Sequence, residues 1–442
     1  MAAEIETLIA PGALDDLSFE AIEIEARRKA LIVAARAVEQ RLNADMSDHF
    51  GPTIPCSCGG AARYAGRRSK TFSTVLGDLT LGRAYFICET CGVGFCPRDR
   101  VLGMTEGSLS PGVLRMVGVV GPTVSFREGH ELLHELAGIE VSTKHVERAA
   151  ETLGRKVADD ERRIFDSPEP EISIAPTLYL GMDGTGVPMR RSEVDGRPGK
   201  QPDGSSKTRE VKLCTVWSAE DRDPEGIPMR DKGSVSYSAA IESAATSDTD
   251  DIPSEFAQRV VREATRRGFD RASRRVLIGD GARWIWNIAD EFFPDAIQIV
   301  DLYHAKEHLY AVAKAIYGAG NDLSEEWAEK RCKELDDGEF DSLLTKLRIH
   351  SKTQPDAAKC LNYFLRNRNR MNYPIFRAAG LSVGSGVVEA GCKRAIGARL
   401  KSQGMHWSFS GANAIIALRC CRLSGRFDVF WKRQTVSCNL AV

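Results

Sequence analysis

An α/β fold is the expectation for the second half of this 442-residue chain, and three observations lead to it. After the Pro-rich stretch Ser167–Pro176, which reads as a linker, helical spacing of apolar residues gives way to short apolar runs. Leu178–Met182, Val211–Trp217 and Ser234–Ala240 read as strands joined by polar, Gly- or Pro-rich connections, and Val276–Ile278 and Ile297–Val300 then alternate with helical segments. Finally, two buried runs end alike: Leu178–Met182 leads into Asp183-Gly184, and Val276–Gly279 into Asp280-Gly281.

The elements before the linker are of other kinds. From Leu17 to about Met46, Ile22, Leu31, Val38 and Leu42 recur near helical spacing. This amphipathic helix suits either dimerisation or packing on its own chain. Cys56-Ser57-Cys58 and Cys88-Glu89-Thr90-Cys91 follow, separated by 29 residues that include Arg63, Arg67, Arg68 and Lys70. Two such pairs resemble a zinc ribbon, in which four thiolates hold a structural Zn²⁺ and fold a segment whose own core is small. Cys96 is an alternative fourth ligand. Leu109 to about Asp166 is helical in pattern, with helices expected over Phe126–Ala137 and Thr143–Lys156. Gly138 can end the first, and Ser142 or Thr143 can cap the second. The layout is that of a DNA-reading helix-turn-helix, with Lys144, His145 and Arg148 near the start of the second helix, or of an ordinary helical hairpin.

Beyond the linker, Trp284, Ile285, Ile288, Ala289 and Phe292 give one helical apolar face. A helix runs from His304 to about Ile316, and Asp322 to about Arg377 is mostly helical. A last helix begins near Gly386 and carries Glu389.

Composition and charge narrow the class. With 43% hydrophobic and 27% charged residues the chain is an ordinary globular protein. No apolar run approaches the roughly 20 residues that span a bilayer. The acidic start MAAEIETLIAPGALDDLSFE lacks the basic region of a signal peptide, so a cytoplasmic location is expected, where Cys residues serve as metal ligands or core thiols. Cys420-Cys421, in an apolar helix, read as core. The net charge of −1 hides a partition. Between Ala357 and Phe427 stand twelve basic residues and one acidic residue, Glu389, a net +11 against −12 elsewhere. Such a segment suggests a cationic surface for a polyanion. A lone carboxylate within it is either a metal ligand or a salt-bridge partner.

Active sites of open α/β sheets gather at the carboxyl ends of strands. Asp183, Asp280 and Glu389 then form a three-carboxylate set able to hold two divalent metals, for which Mg²⁺ or Mn²⁺ is suited. Three longer stretches carry a resemblance: LYLGMDGTGVPM, LIGDGARWIWNIADEFFPDAIQIVDLYHAKEHL and GSGVVEAGCKRAIGARLKSQGMHWS. They are similar to the three catalytic blocks of bacterial insertion-sequence transposases of the Kra type, DDE enzymes related to the Mutator-like group. The resemblance covers most of the chain. It implies an RNase-H-like core with a helical insertion before the Glu, and it matches Asp183, Asp280 and Glu389 to the catalytic residues.

Asp301 also ends a strand and competes for the second position. The block Asp301-Leu302-Tyr303-His304 resembles a Mutator-like signature that follows the second Asp, so Asp301 and His304 are placed as supporting residues. His304 and His308 lack the order of a zinc peptidase motif. Many DDE enzymes carry a basic residue about two helical turns after the Glu. Here that place is the apolar Ile396, leaving Lys393, Arg394 or Arg399 to bind the terminal phosphate. Arg366, Arg368, Arg370 and Lys401 complete the expected DNA-binding set. Trp407 either stacks on an unpaired base or belongs to the core.

The expected organisation is an N-terminal helix (1–50), a zinc-ribbon-like module (51–100), a helical DNA-binding region (101–172), the core in two parts (173–316 and 383–427), a helical insertion (317–382) and a C-terminal tail (428–442). The leading function is a transposase that acts in the nucleoid as a dimer or larger complex. It binds double-stranded DNA at the ends of its own element, cleaves, and joins the 3′ ends to target DNA. The alternatives are a metal-dependent nuclease or resolvase without strand transfer, and a non-catalytic DNA-binding regulator. If the 357–427 stretch is a DNA surface, affinity for duplex DNA falls steeply as salt rises, because each phosphate contact releases counterions. A flat salt dependence in a filter-binding titration would remove that surface.

Overall fold

The structure is a computed structural model that describes residues 18–104, 107–163, 173–244 and 253–439, with side chains of the last helix to residue 434. The reading of the first seventeen residues as non-secretory and most of the linker 167–176 lie outside these. Two units emerge, one of residues up to Leu153 together with Phe427 onward, the other of Gly154–Arg426.

In the first unit, α1 (Phe19–Ala44) starts at Ser18, whose side chain accepts the Ala21 amide. The helix packs on its own chain. Ala35 and Leu42 join Phe72, Leu79, Leu81 and Met104, while Glu39 and Asn43 accept the amides of Thr80 and Gly82. β1 (Thr53–Pro55), β2 (Ala61–Thr74), β3 (Gly77–Cys88) and β4 (Gly94–Phe95) form an antiparallel sheet in that order. Short helices α2 (Pro97–Val101) and α3 (Pro111–Val120) lead to the expected pair, α4 (Phe126–Ala137) and α5 (Thr143–Arg163). Ser125 and Glu128 close a capping box at the start of α4, and Gly138 ends it in the left-handed conformation at φ 68°. The segment read as a C-terminal tail instead forms a helix, Phe427–Asn439, of this unit. The Phe427 ring lies so close over Gly118 that a Cβ there would meet it at 2.5 Å, and Asp428 pairs with Arg115 at 2.7 Å.

The second unit is built on a five-stranded mixed sheet. Its strands are β5 (Thr177–Pro188), β6 (Thr208–Ser218), β9 (Ser236–Ala240), β10 (Arg274–Gly279) and β11 (Ile297–Val300), in the order β11-β10-β5-β6-β9. A two-strand hairpin, β7 (Asp221–Arg222) and β8 (Pro228–Met229), which the sequence did not signal, fills the connection after β6. β6 runs antiparallel to its neighbours β5 and β9, whereas β10 and β11 run parallel to β5. The change of direction follows from the connections. β5 to β9 are linked by polar loops, but β10 and β11 are each approached through a helix, α6 (Glu255–Arg266) and α7 (Arg283–Phe292), as parallel strands require. Tyr179 and Trp217 stack across β5 and β6 with centroids 5.4 Å apart.

α8 (Leu302–Tyr317) follows β11, and then come α9 (Asp322–Asp336), α10 (Phe340–Ser351), α11 (Pro355–Asn367) and α12 (Tyr373–Ala378). Leu335, Leu343, Leu344, Leu347 and Phe364 from these helices join the core of the sheet. α13 (Gly386–Gly391) continues through a wider helical segment, Cys392–Gly397, into α14 (Ala398–Leu400), and α15 (Phe409–Leu423) packs beside β9. Among the described residues no helix is long and apolar enough to cross a membrane.

A buried ion pair ties α6 to the end of α15. Glu263, 1% exposed, receives both Arg426 guanidinium nitrogens at 2.9 Å and the Ser236 hydroxyl at 2.5 Å. Burial pushes the Glu263 carboxyl up, but the charges of Arg426 and Arg266 overcome this and hold it at about 2. Because the folded value is depressed, the pair contributes its full stability above the ordinary carboxylate range and loses it as pH falls towards about 2. Glu263→Gln is expected to cost about 3–5 kcal/mol near neutral pH, since it strands a buried guanidinium. In urea titrations its deficit against the parent protein shrinks below pH ~4.5. A deficit independent of pH would show that the packing, not the charge pair, sets the cost.

Candidate functional site

Sheet register brings two of the expected carboxylates side by side. β5 and β10 pair in parallel with Gly181 opposite Ile278. Asp183 lies two residues further along β5, and Asp280 lies in the turn one residue past the end of β10, near enough that its charge acts on Asp183. Two residues is also the side-chain period of a strand, so Asp183 faces the same side as Gly181.

Glu389 reaches that side because two glycines let α13 lie directly on the sheet. A Cβ at Gly181 would come within 2.3 Å of the Val388 side chain. One at Gly391 would come within 2.9 Å of Leu213 and of Tyr237. Asp183 and Glu389 then line one cavity of ≈ 320 Å³ with Thr185, Cys392, Lys393, Gly397 and Lys401. Asp183 accepts the Gly184 amide at 2.6 Å. Its carboxyl is pushed up by burial and further by Asp280 and Glu210, while the Cys392 thiol and the Gly184 amide hold it down. Glu389 is exposed, and Lys393 stands 3.9 Å from it.

The helix after Glu389 explains why the place two turns on is apolar. Ile396 is buried, and the cavity is lined instead at Glu389, Lys393, Gly397 and Lys401, a spacing of four. In an unbroken α-helix twelve residues overshoot three turns by about 120°. The π-helical segment Cys392–Gly397 has wider turns, which offset that overshoot and keep these positions on one side. Lys401 hydrogen-bonds the Thr185 hydroxyl across the cavity. Sequence reasoning missed Thr185 and Cys392, and no local pattern marks a π turn.

Asp301 takes a different part. It is 1% exposed and caps α8, accepting the His304 amide at 2.6 Å with one oxygen and the Ser385 amide with the other. Both oxygens are thus engaged with backbone, and Asp301 joins the start of α8 to the loop before α13. His304 stands beside it at 37% side-chain exposure, with Glu307 at 3.4 Å.

The cationic stretch is corrected by the fold. Arg399 is 1% exposed and lies over the Trp407 ring, and Trp407, at 6%, donates its indole N–H to the Leu400 carbonyl at 3.0 Å. Trp407 is also bridged to Met189 at the end of β5. Both residues are therefore core, and neither offers a face to DNA. Arg419 and Arg426 are buried as well. Arg368, Arg370 and Arg377 meet Asp341, Asp290 and Asp336, and Lys359 meets Asp356. These acidic partners all lie outside the 357–427 window, so counting along the sequence overstated the charge of the surface. Arg366 is exposed, with its Nε on the Asn362 carbonyl, and it lines a second cavity with Gln298, Asn369 and Arg370. Lys393 and Lys401 are exposed and line the first cavity, and Arg394 is exposed on the same helical segment.

In the first unit the four expected cysteines converge. Cys56, Cys58, Cys88 and Cys91 have sulfur atoms all within 4.8 Å of one another, and Cys96 is outside the group. Two tight turns make this possible. Gly59 and Gly92 donate their amides to the carbonyls of Cys56 and Cys88, each at 2.9 Å, and β2 pairs Ala62 with Cys88. The amides of Cys91 and Thr90 donate to the Cys88 sulfur and lower its thiol to about 6. Four sulfurs at this spacing could hold a zinc ion. On α5, Lys144 and Arg148 are exposed on the side opposite the buried Val146 and Ala150.

No protein-family model matches the chain, and no curated protein does. One solved structure to which it is similar is the Drosophila P element transposase strand transfer complex, at 11% identity and a TM-score of 0.25, over 76% of this chain and 83% of that one. A likeness of that size carries no argument about this chain.

Elemental analysis of the purified protein is expected to find about one zinc per chain, and Cys88→Ser to lose it with a lowered melting temperature. Metal-free protein with an unchanged melting temperature would leave the cysteines as ordinary thiols.

Proposed function

We propose that the chain is a DNA transposase whose second unit is an RNase-H-like, metal-dependent core made of 173–316 and 383–427, with 317–382 inserted. The observation that carries this is the meeting of Asp183, beside Asp280 by register, and Glu389 at one cavity edged by Lys393 and Lys401. The resemblance of the three sequence blocks to Kra-type and Mutator-like transposases supports the same reading.

The donor set suits divalent cations. Asp183 sits on β5 and Asp280 in the turn after the neighbouring β10, and Asp183 is destabilised as an anion by its burial and by Asp280 and Glu210, a cost that a bound cation offsets. All-oxygen donors select Mg²⁺ or Mn²⁺, with Asp183, Asp280 and Glu389 as holders. Bound there, such ions activate an attacking oxygen and stabilise the leaving one. The chain's own residues do the rest. The Gly184 amide and the Cys392 thiol orient Asp183, and the close seat of α13 on Gly181 sets the height of Glu389. Lys393 and Lys401 place positive charge on the cavity wall, where phosphate oxygens of a DNA strand bind. Asp301 serves the frame and does not join the ligands. In the first unit, the zinc-ribbon-like module and the α4–α5 pair, with Lys144 and Arg148, bind the element's ends. Two ends must be cut together, so a homodimer or larger complex acts.

The test uses purified full-length protein and labelled DNA from the ends of its own locus, with Mg²⁺ or Mn²⁺. Cleaved and joined products are expected from the parent protein, falling to background in Glu389→Gln. Cleavage without joining would make it a nuclease, and binding without cleavage a regulator. Cleavage that survives Glu389→Gln would remove Glu389 from the site.

A further inference from the structure

The turn that carries Asp280 is held from outside the sheet. β10 ends at Gly279, where the Asp301 amide meets the Gly279 carbonyl at 2.8 Å. Beyond that point the sheet gives the chain no ladder bond. One Asp280 carboxylate oxygen accepts the Ala282 amide at 2.8 Å, which bends the chain into α7. The Asp280 carbonyl receives the hydroxyl of Tyr363 at 2.9 Å. Tyr363 belongs to α11, 83 residues further along, and is 8% exposed.

The fit around this phenol is close. Gly281 has φ 94°, and a Cβ there would lie 2.4 Å from the Tyr363 ring. A side chain at 281 is therefore excluded twice, by backbone conformation and by the ring. The His308 ring lies against Tyr363 with centroids 4.3 Å apart, and His304 is 4.9 Å from His308. A buried hydroxyl must find a partner. This one takes the main-chain carbonyl of the residue whose carboxylate stands beside Asp183.

We propose that Tyr363 is a positioning residue for Asp280, through which the helical insertion locks the Asp280–Ala282 turn. The functional consequence rests on the reading of Asp280 as a metal ligand. The mechanical part does not. Backbone groups that fix a ligand's peptide act as outer partners of a metal site, and losing one costs 10–100-fold in metal affinity or activity as a rough guide.

The test compares Tyr363→Phe, which removes only the hydroxyl, with Tyr373→Phe. Tyr373, on α12, is fully buried and donates to the Val300 carbonyl at 3.1 Å, the same kind of bond one strand away from Asp280. Hydrogen–deuterium exchange over residues 279–284 is read first, in full-length, metal-free protein. Tyr363→Phe is expected to speed exchange of the Ala282 amide about tenfold, and Tyr373→Phe to leave it unchanged. Cleavage of end DNA is read second. Tyr363→Phe is expected to raise the Mn²⁺ concentration for half-maximal rate about tenfold, with DNA affinity unaltered. Unchanged exchange in Tyr363→Phe overturns the proposal, as does an equal rise in the Mn²⁺ requirement in both variants. If the parent protein cuts no DNA with any metal, the transposase reading falls, and the exchange experiment alone decides whether Tyr363 fixes the turn.

Discussion

Everything at the candidate site hangs on the parallel register of β5 with β10. One pairing, Gly181 with Ile278, brings the two aspartates near each other. The glycine in that pair does a second job, because its missing side chain lets Val388 and the whole of α13 settle on the sheet. A register slip of one residue would turn Asp183 to the other face, since the strand period is two. The close seat of Val388 on Gly181 guards against this, because a slip would bring a side chain in place of the glycine under α13.

Much of this framework was legible along the chain, for identifiable reasons. Buried strands announce themselves as apolar runs, and the bounds of Ile297–Val300 and Phe126–Ala137 coincide with the expectation because both segments are marked by strong local signals. The cysteine pairs were legible from their spacing, and the structure adds that the glycine after each, Gly59 or Gly92, has the positive φ of a tight turn. Asp301 spends both oxygens on backbone amides, whereas Asp280 engages the Ala282 amide through one.

What stayed hidden depends on distance across the fold. Arg399 and Arg426 look like surface charge in a linear count, yet they are buried. Arg426 pairs with Glu263, 163 residues away, whereas Arg399 is covered by Trp407 within the same stretch, a packing that the linear pattern does not show. Tyr363 is one of many aromatics in a helical stretch, and nothing nearby says that its hydroxyl ends on the Asp280 carbonyl. The π segment is invisible because its residues, Cys392 to Gly397, are acceptable in any helix.

That widened turn has a consequence for how the chain can vary. It amounts to surplus length absorbed inside a helix, so that what lies beyond keeps nearly the phase of an unbroken helix one residue shorter. Removing one residue between Cys392 and Gly397 would return the segment to ordinary pitch, and the eleven steps then left from Glu389 to Lys401 would still make about three turns, with Lys401 on the same side. Substitutions at the outward positions leave the phase alone. The stretch should therefore tolerate the loss of one residue there as well as changes of identity, whereas a second loss would turn Lys401 away.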